Sequence, residues 1–148
     1  PVPQAQATRR RLKQGRQKSR MTRLTLVHGG SGDAREAAIA AMASAFAADS
    51  NNSSKVSAAI LEGLASGRGA LQELADSSVM KVIRVAPGCP CCTGNLTMRI
   101  TLNRVLREKP ALLFLAIADA SHKAKVREFL QDAQYREHLE LGPELDCS

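Results

Sequence analysis

The sequence predicts an α/β domain in which a mostly parallel sheet is flanked by helices. Three observations carry this. From residue 23 onward, short apolar runs alternate with Ala- or Leu-rich helical stretches. One of those runs, within Ala111–Asp119, is apolar without a break to Ala118, as a strand buried on both faces should be. The glycine- and cysteine-rich loops at 28–33 and 87–93 each follow a strand and precede a helix. In a parallel sheet that puts both on the carboxyl edge, where such sheets bind ligands. A chain of 148 residues can bury one core of its own.

Residues 1–22 are expected to form a basic disordered leader, since Gln, Arg, Lys and Ser leave almost nothing to bury. Residues 23–148 are expected to form a single domain. Arg23–His28 reads as its first strand, ending in Gly29-Gly30-Ser31-Gly32. Asp33 then opens an Ala-rich helix to about Ala48, and Asp33 with Glu36 forms a capping-box-like pair. Asp49–Ser54 is a loop, and Lys55–Glu62 is a second apolar segment, a strand by position but rich enough in Ala to be helical. Gly63–Gly69 is glycine-rich, Ala70–Asp76 fits a short helix, and Val79–Ala86 is a strand rich in β-branched residues. After a turn at Pro87–Cys92, Thr93 or Asn95 caps a helix that runs to about Lys109, before Pro110. Ala111–Asp119 is the next strand. Lys123–Gln131 and Tyr135–Leu139 read as amphipathic helical pieces.

Charge is distributed unevenly. The formal net charge is +7, from 21 Lys+Arg against 14 Asp+Glu. Eight of the basic residues fall in positions 1–23, which hold no acid, leaving thirteen bases against fourteen acids in 24–148. The body is therefore near neutral, which argues against a basic groove across the fold. Aromatic residues make up 3%, with no Trp and one Tyr, too few for a base-stacking platform. No specific nucleic-acid partner is expected. No run approaches the roughly 18 apolar residues of a membrane span. The leader lacks the apolar centre of a secretory signal. It starts at Pro1 with the first Met at position 21, which would fit an upstream start. Four cysteines, three of them within four positions, do not resemble a disulfide framework. A reducing, cytoplasmic location is expected.

The cysteine loop is the most informative stretch. Cys89, Cys91 and Cys92 are soft thiolate ligands that suit Zn²⁺ or another soft transition metal. Three of them in one turn can converge on one ion, and the N-terminus of the next helix favours the thiolate form. Tetrahedral zinc needs a fourth ligand, and Cys147, His122, His28, water or a partner protein could supply it. Cys89 and Cys92 also have the spacing of a redox pair, and buried inert cysteines are a third reading.

The glycine loop has the position of a phosphate loop but not its chemistry. The working pattern is G-x-x-x-x-G-K-[ST]. With Gly32 as the last glycine, Val27 stands at the first position, Asp33 at the lysine and Ala34 at the Mg²⁺-binding hydroxyl. A carboxylate there repels the phosphates that a lysine would neutralise. The alternative is a plain glycine turn into a capped helix.

Together the two loops resemble the CobW-type family of P-loop GTPases, which act as metal chaperones or metal-insertion factors. Thr25–Gly32 looks like that family's first strand and loop, and Gly88-Cys89-Pro90-Cys91-Cys92 matches its G-C-x-C-C. The stretch from Gly94 to Glu108 is similar to its next helix. Ala111–Asp119 sits at its switch strand, and Phe129–Gly142 with Leu145–Cys147 sits around its following strand. Glu62 aligns with the acid of its N-E-F-G segment, with different flanks. The resemblance covers about residues 25–147. It implies a partial P-loop NTPase-like fold, with Gly30, Ser31, Gly32 and Asp119 as the nucleotide-side residues and Asp119 as a Mg²⁺-facing acid. The switch E-x-x-G is absent, and the chain stops before the family's guanine-recognition motif and second domain. The expectation is therefore a metal-binding or metal-handling protein with a vestigial site for GTP and Mg²⁺. It would serve a client metalloprotein or an intact GTPase partner. Two other functions remain open: a working GTP-hydrolysing metallochaperone, and an interaction module that pairs with an intact GTPase.

Overall fold

The computed structural model describes residues 21–63, 69–87 and 96–148. The leader to residue 20, the 64–68 stretch and residues 88–95, including Cys89, Cys91 and Cys92 and the expected caps Thr93 and Asn95, lie outside the described residues.

Six strands form among the described residues, the first four of them where the sequence predicts apolar strands. They are β1 (Thr22–His28), β2 (Ser57–Glu62), β3 (Met80–Val85), β4 (Leu112–Ala116), β5 (Leu139–Leu141) and β6 (Leu145–Asp146). They join one sheet in the order β3–β2–β4–β1–β5, with β6 also on β1. Every pairing is parallel. The central strands β1, β2 and β4 are almost wholly buried, which explains why they read as continuous apolar runs rather than alternating ones.

Among the described residues four helices cover the two faces: α1 (Gly32–Ala48), α2 (Ala70–Asp76), α3 (Leu96–Arg107) and α4 (Lys123–Leu130). On one face Ile39, Ala40 and Ala43 of α1 and Leu71 of α2 pack on Val27, Ala59, Leu61, Met80, Phe114 and Ala116. On the other, Met98, Leu102, Val105 and Leu106 of α3 and Val126 and Leu130 of α4 pack on Leu24, Leu26, Ile60, Leu113 and Leu115. The period-2 alternation of each strand thus feeds two separate cores. The α/β expectation is met, in the form of a sheet whose pairings are all parallel. Among the described residues no helix is long and apolar enough to cross a membrane.

Three local expectations are corrected. The α1 N-cap is Ser31, not Asp33, and the Ser31 hydroxyl accepts the Ala34 amide at 3.1 Å. Glu36 does not complete a capping box but pairs with Arg84 on β3. Tyr135–Leu139 is no helical piece. It is a series of turns leading into β5, where Leu139 pairs with Thr22 of β1. The amphipathic spacing there arises because Tyr135 and Leu139 face the core from consecutive turns, which mimics one helical face.

Candidate functional site

Parallel strands bring the loops after β1, β2, β4 and β6 to one edge. After β1 the chain crosses to the α1 face, and after β4 to the α4 face. Sheets of this kind usually bind ligands in the crevice between such neighbouring strands, and here that position lies between the carboxyl ends of β1 and β4. Gly29–Gly32 flanks it on one side and Ile117–Asp119 on the other.

The glycine loop turns sharply, with Gly29 and Gly30 at φ +77° and +61°, a region that L-residues with a side chain rarely enter. Its carbonyls face a cation. The Arg35 guanidinium donates to the Gly29 oxygen at 3.1 Å and to the Gly30 oxygen at 2.7 Å, and Arg35 is 8% exposed. Charge-assisted hydrogen bonds of this kind are among the stronger ones, so they fix the loop from behind. In a phosphate loop the amides matter most. Here Ser31 already takes the Ala34 amide through its hydroxyl and the Arg35 amide through its carbonyl. The second is the ordinary first bond of the helix, so one of its otherwise free N-terminal donors, the Ala34 amide, is occupied by the chain itself.

The C-terminal segment, 142–148, packs against the same loop. The Gly142 amide donates to the Leu24 carbonyl and the Cys147 amide to the His28 carbonyl, each at 2.8 Å. Both ends of the segment are thus stitched to β1. Glu144 is its anchor. One carboxylate oxygen meets His28 Nε2 at 3.1 Å with Lys123 Nζ at 3.8 Å, and the other accepts from Arg127 at 2.6 Å. Hydrogen bonds from the Ser148 hydroxyl and amide hold the Asp146 carboxyl below its ordinary range, helped by the nearby His28 and Lys123 charges.

The candidate ligands are dispersed. His28 is buried at the end of β1 and committed to Glu144. Cys147 lies beside the glycine loop near Arg35. His122 sits on the exposed 3-10 turn Ala120–His122 after β4, with Nε2 3.7 Å from Asp119. Among the described residues no group of three or more His, Cys, Asp or Glu could hold a metal ion. Gly30, Ser31, Gly32 and Asp119 do share the crevice edge. The Asp119 carboxylate caps the 3-10 turn by accepting the Ser121 amide at 2.9 Å, and the Ser121 hydrogen bonds lower its pKa.

Two contributors, Arg35 and Glu144, give no signal in the sequence, and a third, Glu62, is marked there only through the family resemblance. Arg35 carries no motif signal beyond its place one turn into the helix. Glu144 is a lone acid in a polar tail. Glu62 closes the neighbouring gap, its carboxylate accepting the Ala118 amide at 3.0 Å across from β2 to the end of β4.

Burial pushes the Cys147 thiol above its usual range, with Arg35 opposing and Asp146 adding to the shift. In protein carrying C89S, C91S and C92S, iodoacetamide at pH 7.5 should therefore modify folded Cys147 several-fold more slowly than the urea-unfolded chain. Equal rates would contradict this environment. The stability linked to this thiol is complete below the unfolded thiol's pKa and is lost as pH rises through the higher folded value.

No family model, curated protein or solved structure matches this chain.

Proposed function

We propose that this chain is a metal-handling protein that binds Zn²⁺ or another soft transition metal through Cys89, Cys91 and Cys92, in a CobW-like α/β frame whose nucleotide site is vestigial. The observation that carries the reading is Gly88-Cys89-Pro90-Cys91-Cys92, three thiols in four positions directly between a parallel strand and a helix. That chemistry is specific for soft metals, whereas the remaining loops of the same edge offer oxygen and imidazole groups already engaged with one another.

The choice of a fourth ligand narrows on physical grounds. His28 is poorly suited, because taking it would strip Glu144 of a buried partner. It also stands on β1, three strand spacings from β3, or about 14 Å. Cys147 lies on the far side of β1, beside β6, and is farther still. His122 follows β4, two spacings from β3, and its side chain is 42% exposed. It is the best internal candidate, with water or a client's own side chain as the external ones. An incomplete ligand set suits a protein that passes its metal on.

The nucleotide half of the resemblance weakens beside this. Asp33 and Ala34 replace the phosphate-binding Lys and the Mg²⁺-binding hydroxyl, and Arg35 is turned onto loop carbonyls rather than outward.

The test is a competition titration with a chromogenic zinc chelator at pH 7.4, comparing the chain with its C89S/C91S/C92S variant. The native chain should bind one equivalent, and the variant should lose at least about a hundredfold in affinity. Equal affinity of the two proteins sinks the proposal. His122→Ala should weaken binding less, by roughly tenfold.

A further inference from the structure

A second concave site lies at the opposite end of the sheet, away from the crevice. It is a cavity of about 320 Å³ between the last turn of α3 and the turns before β5. The size is at the small end of the range for organic ligands. Its floor is apolar, made by Leu106 and Tyr135, which are 8% and 3% exposed. Its rim holds the exposed cations Arg107 and Lys109, the His138 imidazole, and the amides of Asn103 and Gln134. Among the described residues no carboxylate lines it.

The rim is built by local geometry. Asn103, Leu106 and Arg107 are spaced three and four apart, so they share one side of α3. Lys109 follows the helix at φ +52°, in the left-handed conformation that often ends helices. Tyr135 is fixed edge-on against Phe129, with ring centroids 5.2 Å apart, and its amide is held by the Asp132 carbonyl. Across the mouth, the His138 amide donates to the Tyr135 carbonyl at 2.9 Å.

The charges are uncompensated. None of the ion pairs among the described residues uses Arg107, Lys109 or His138. Two acids adjoin the lining in sequence: Glu108 is taken by Lys81 at 2.6 Å, and exposed Glu137 precedes His138. Glu137 and the negative end of the α3 dipole, about half a charge, oppose anions here, against two formal positive charges on the rim.

The geometry points to a binding site for a small organic anion with a compact apolar body, an aryl or branched-alkyl phosphomonoester or carboxylate. Arg107 and Lys109 hold the anionic head, the Asn103 and Gln134 amides orient it, and Leu106 and Tyr135 take the apolar body. A head that spreads its charge over several oxygens suits the flat guanidinium fork and the point charge of the lysine together.

The test follows the amide NMR spectrum of the full chain during titration with phenyl phosphate, inorganic phosphate and benzamidine. Phenyl phosphate should shift the Leu106 and Tyr135 amides with a dissociation constant of about 1 mM. Inorganic phosphate should bind at least about tenfold more weakly, and benzamidine should not bind. R107Q/K109Q, which changes only exposed side chains, should weaken phenyl phosphate about tenfold and leave the rest of the spectrum in place. Benzamidine binding as well as phenyl phosphate overturns the site. So does phosphate alone binding equally well, which would reduce it to surface charge. So do shifts that R107Q/K109Q leaves unchanged. RNA homopolymer binding at this edge without phenyl phosphate binding would replace the cavity with a polyanion surface.

Discussion

Phe114→Ala is expected to destabilise the fold by about 3–5 kcal/mol, toward the upper end of that range. Phe114 is 0% exposed and sits on β4, between Thr25 of β1 and Ala59 of β2. Its ring enters the core beneath α1, whose packing residues are Ile39, Ala40 and Ala43, with Ala59 and Ala116 also in that core. These alanines have no rotamers to swing into the space a ring vacates. The helix could fill it only by sinking toward the sheet, against the rest of its contacts. A domain of this size is stable by about 5–15 kcal/mol, so the change removes a large part of the margin. A drop in melting temperature of about 10 °C should accompany it. Met42→Ala on the same helix, 41% exposed, should move the urea midpoint by no more than about 0.5 kcal/mol equivalent. Similar midpoints for the two variants would mean that the alanine-rich face repacks, and the account of this core would be wrong.

That face also shows what a sequence alone can and cannot disclose. The strands were legible because each carries its own burial signal: Ala111–Ala118 is uniformly apolar since β4 has neighbours on both sides and helices on both faces. The Ala-rich stretch after Asp33 was legible as a helix from propensity, although its apolar face is weakly marked. Alanine provides close approach there rather than a strong stripe. The cap was misassigned because Ser31 and Asp33 are both good capping residues, and only the backbone geometry of Ser31 distinguishes them. Tyr135–Leu139 reads as helical because core-facing residues four apart look alike in a helix and in successive turns. The site was legible only where chemistry is local. Thiols clustered within one loop can be seen in a string of letters. Glu144 gathering His28, Arg127 and Lys123 depends on contacts between residues as much as 116 positions apart, which no local pattern encodes. Arg35 bonds carbonyls only five and six positions back, but that contact needs the left-handed turn at Gly29 and Gly30, which the letters do not fix.

The glycine loop yields the second large effect. Gly30→Ala should cost about 3 kcal/mol. Part of this is backbone strain, since φ +61° costs an L-residue roughly 1–2 kcal/mol. The rest is a collision. A β-carbon on Gly30 would lie 3.0 Å from the Cys147 carbonyl carbon and closer still to its oxygen. The obstacle is backbone, so no side-chain rotation relieves it. Either the loop leaves its turn and gives up the Arg35 bonds, or the C-terminal segment lifts off β1. The second is the easier route, because it sacrifices the Cys147–His28 hydrogen bond and a two-residue strand, while the first disturbs β1 itself. Gly63→Ala separates strain from collision. Gly63 has φ +100°, no easier for an L-residue, yet none of the described residues lies within 4 Å of its added β-carbon. If the contact matters, Gly30→Ala must cost more than Gly63→Ala, and it alone should speed hydrogen exchange at the Cys147 amide. Equal costs, or an unchanged Cys147 amide, would show that residues 146–148 do not bear on the loop in solution. The reverse result makes the C-terminal segment part of the wall of the crevice, so that any ligand entering between β1 and β4 must do so with this segment in place or displace it.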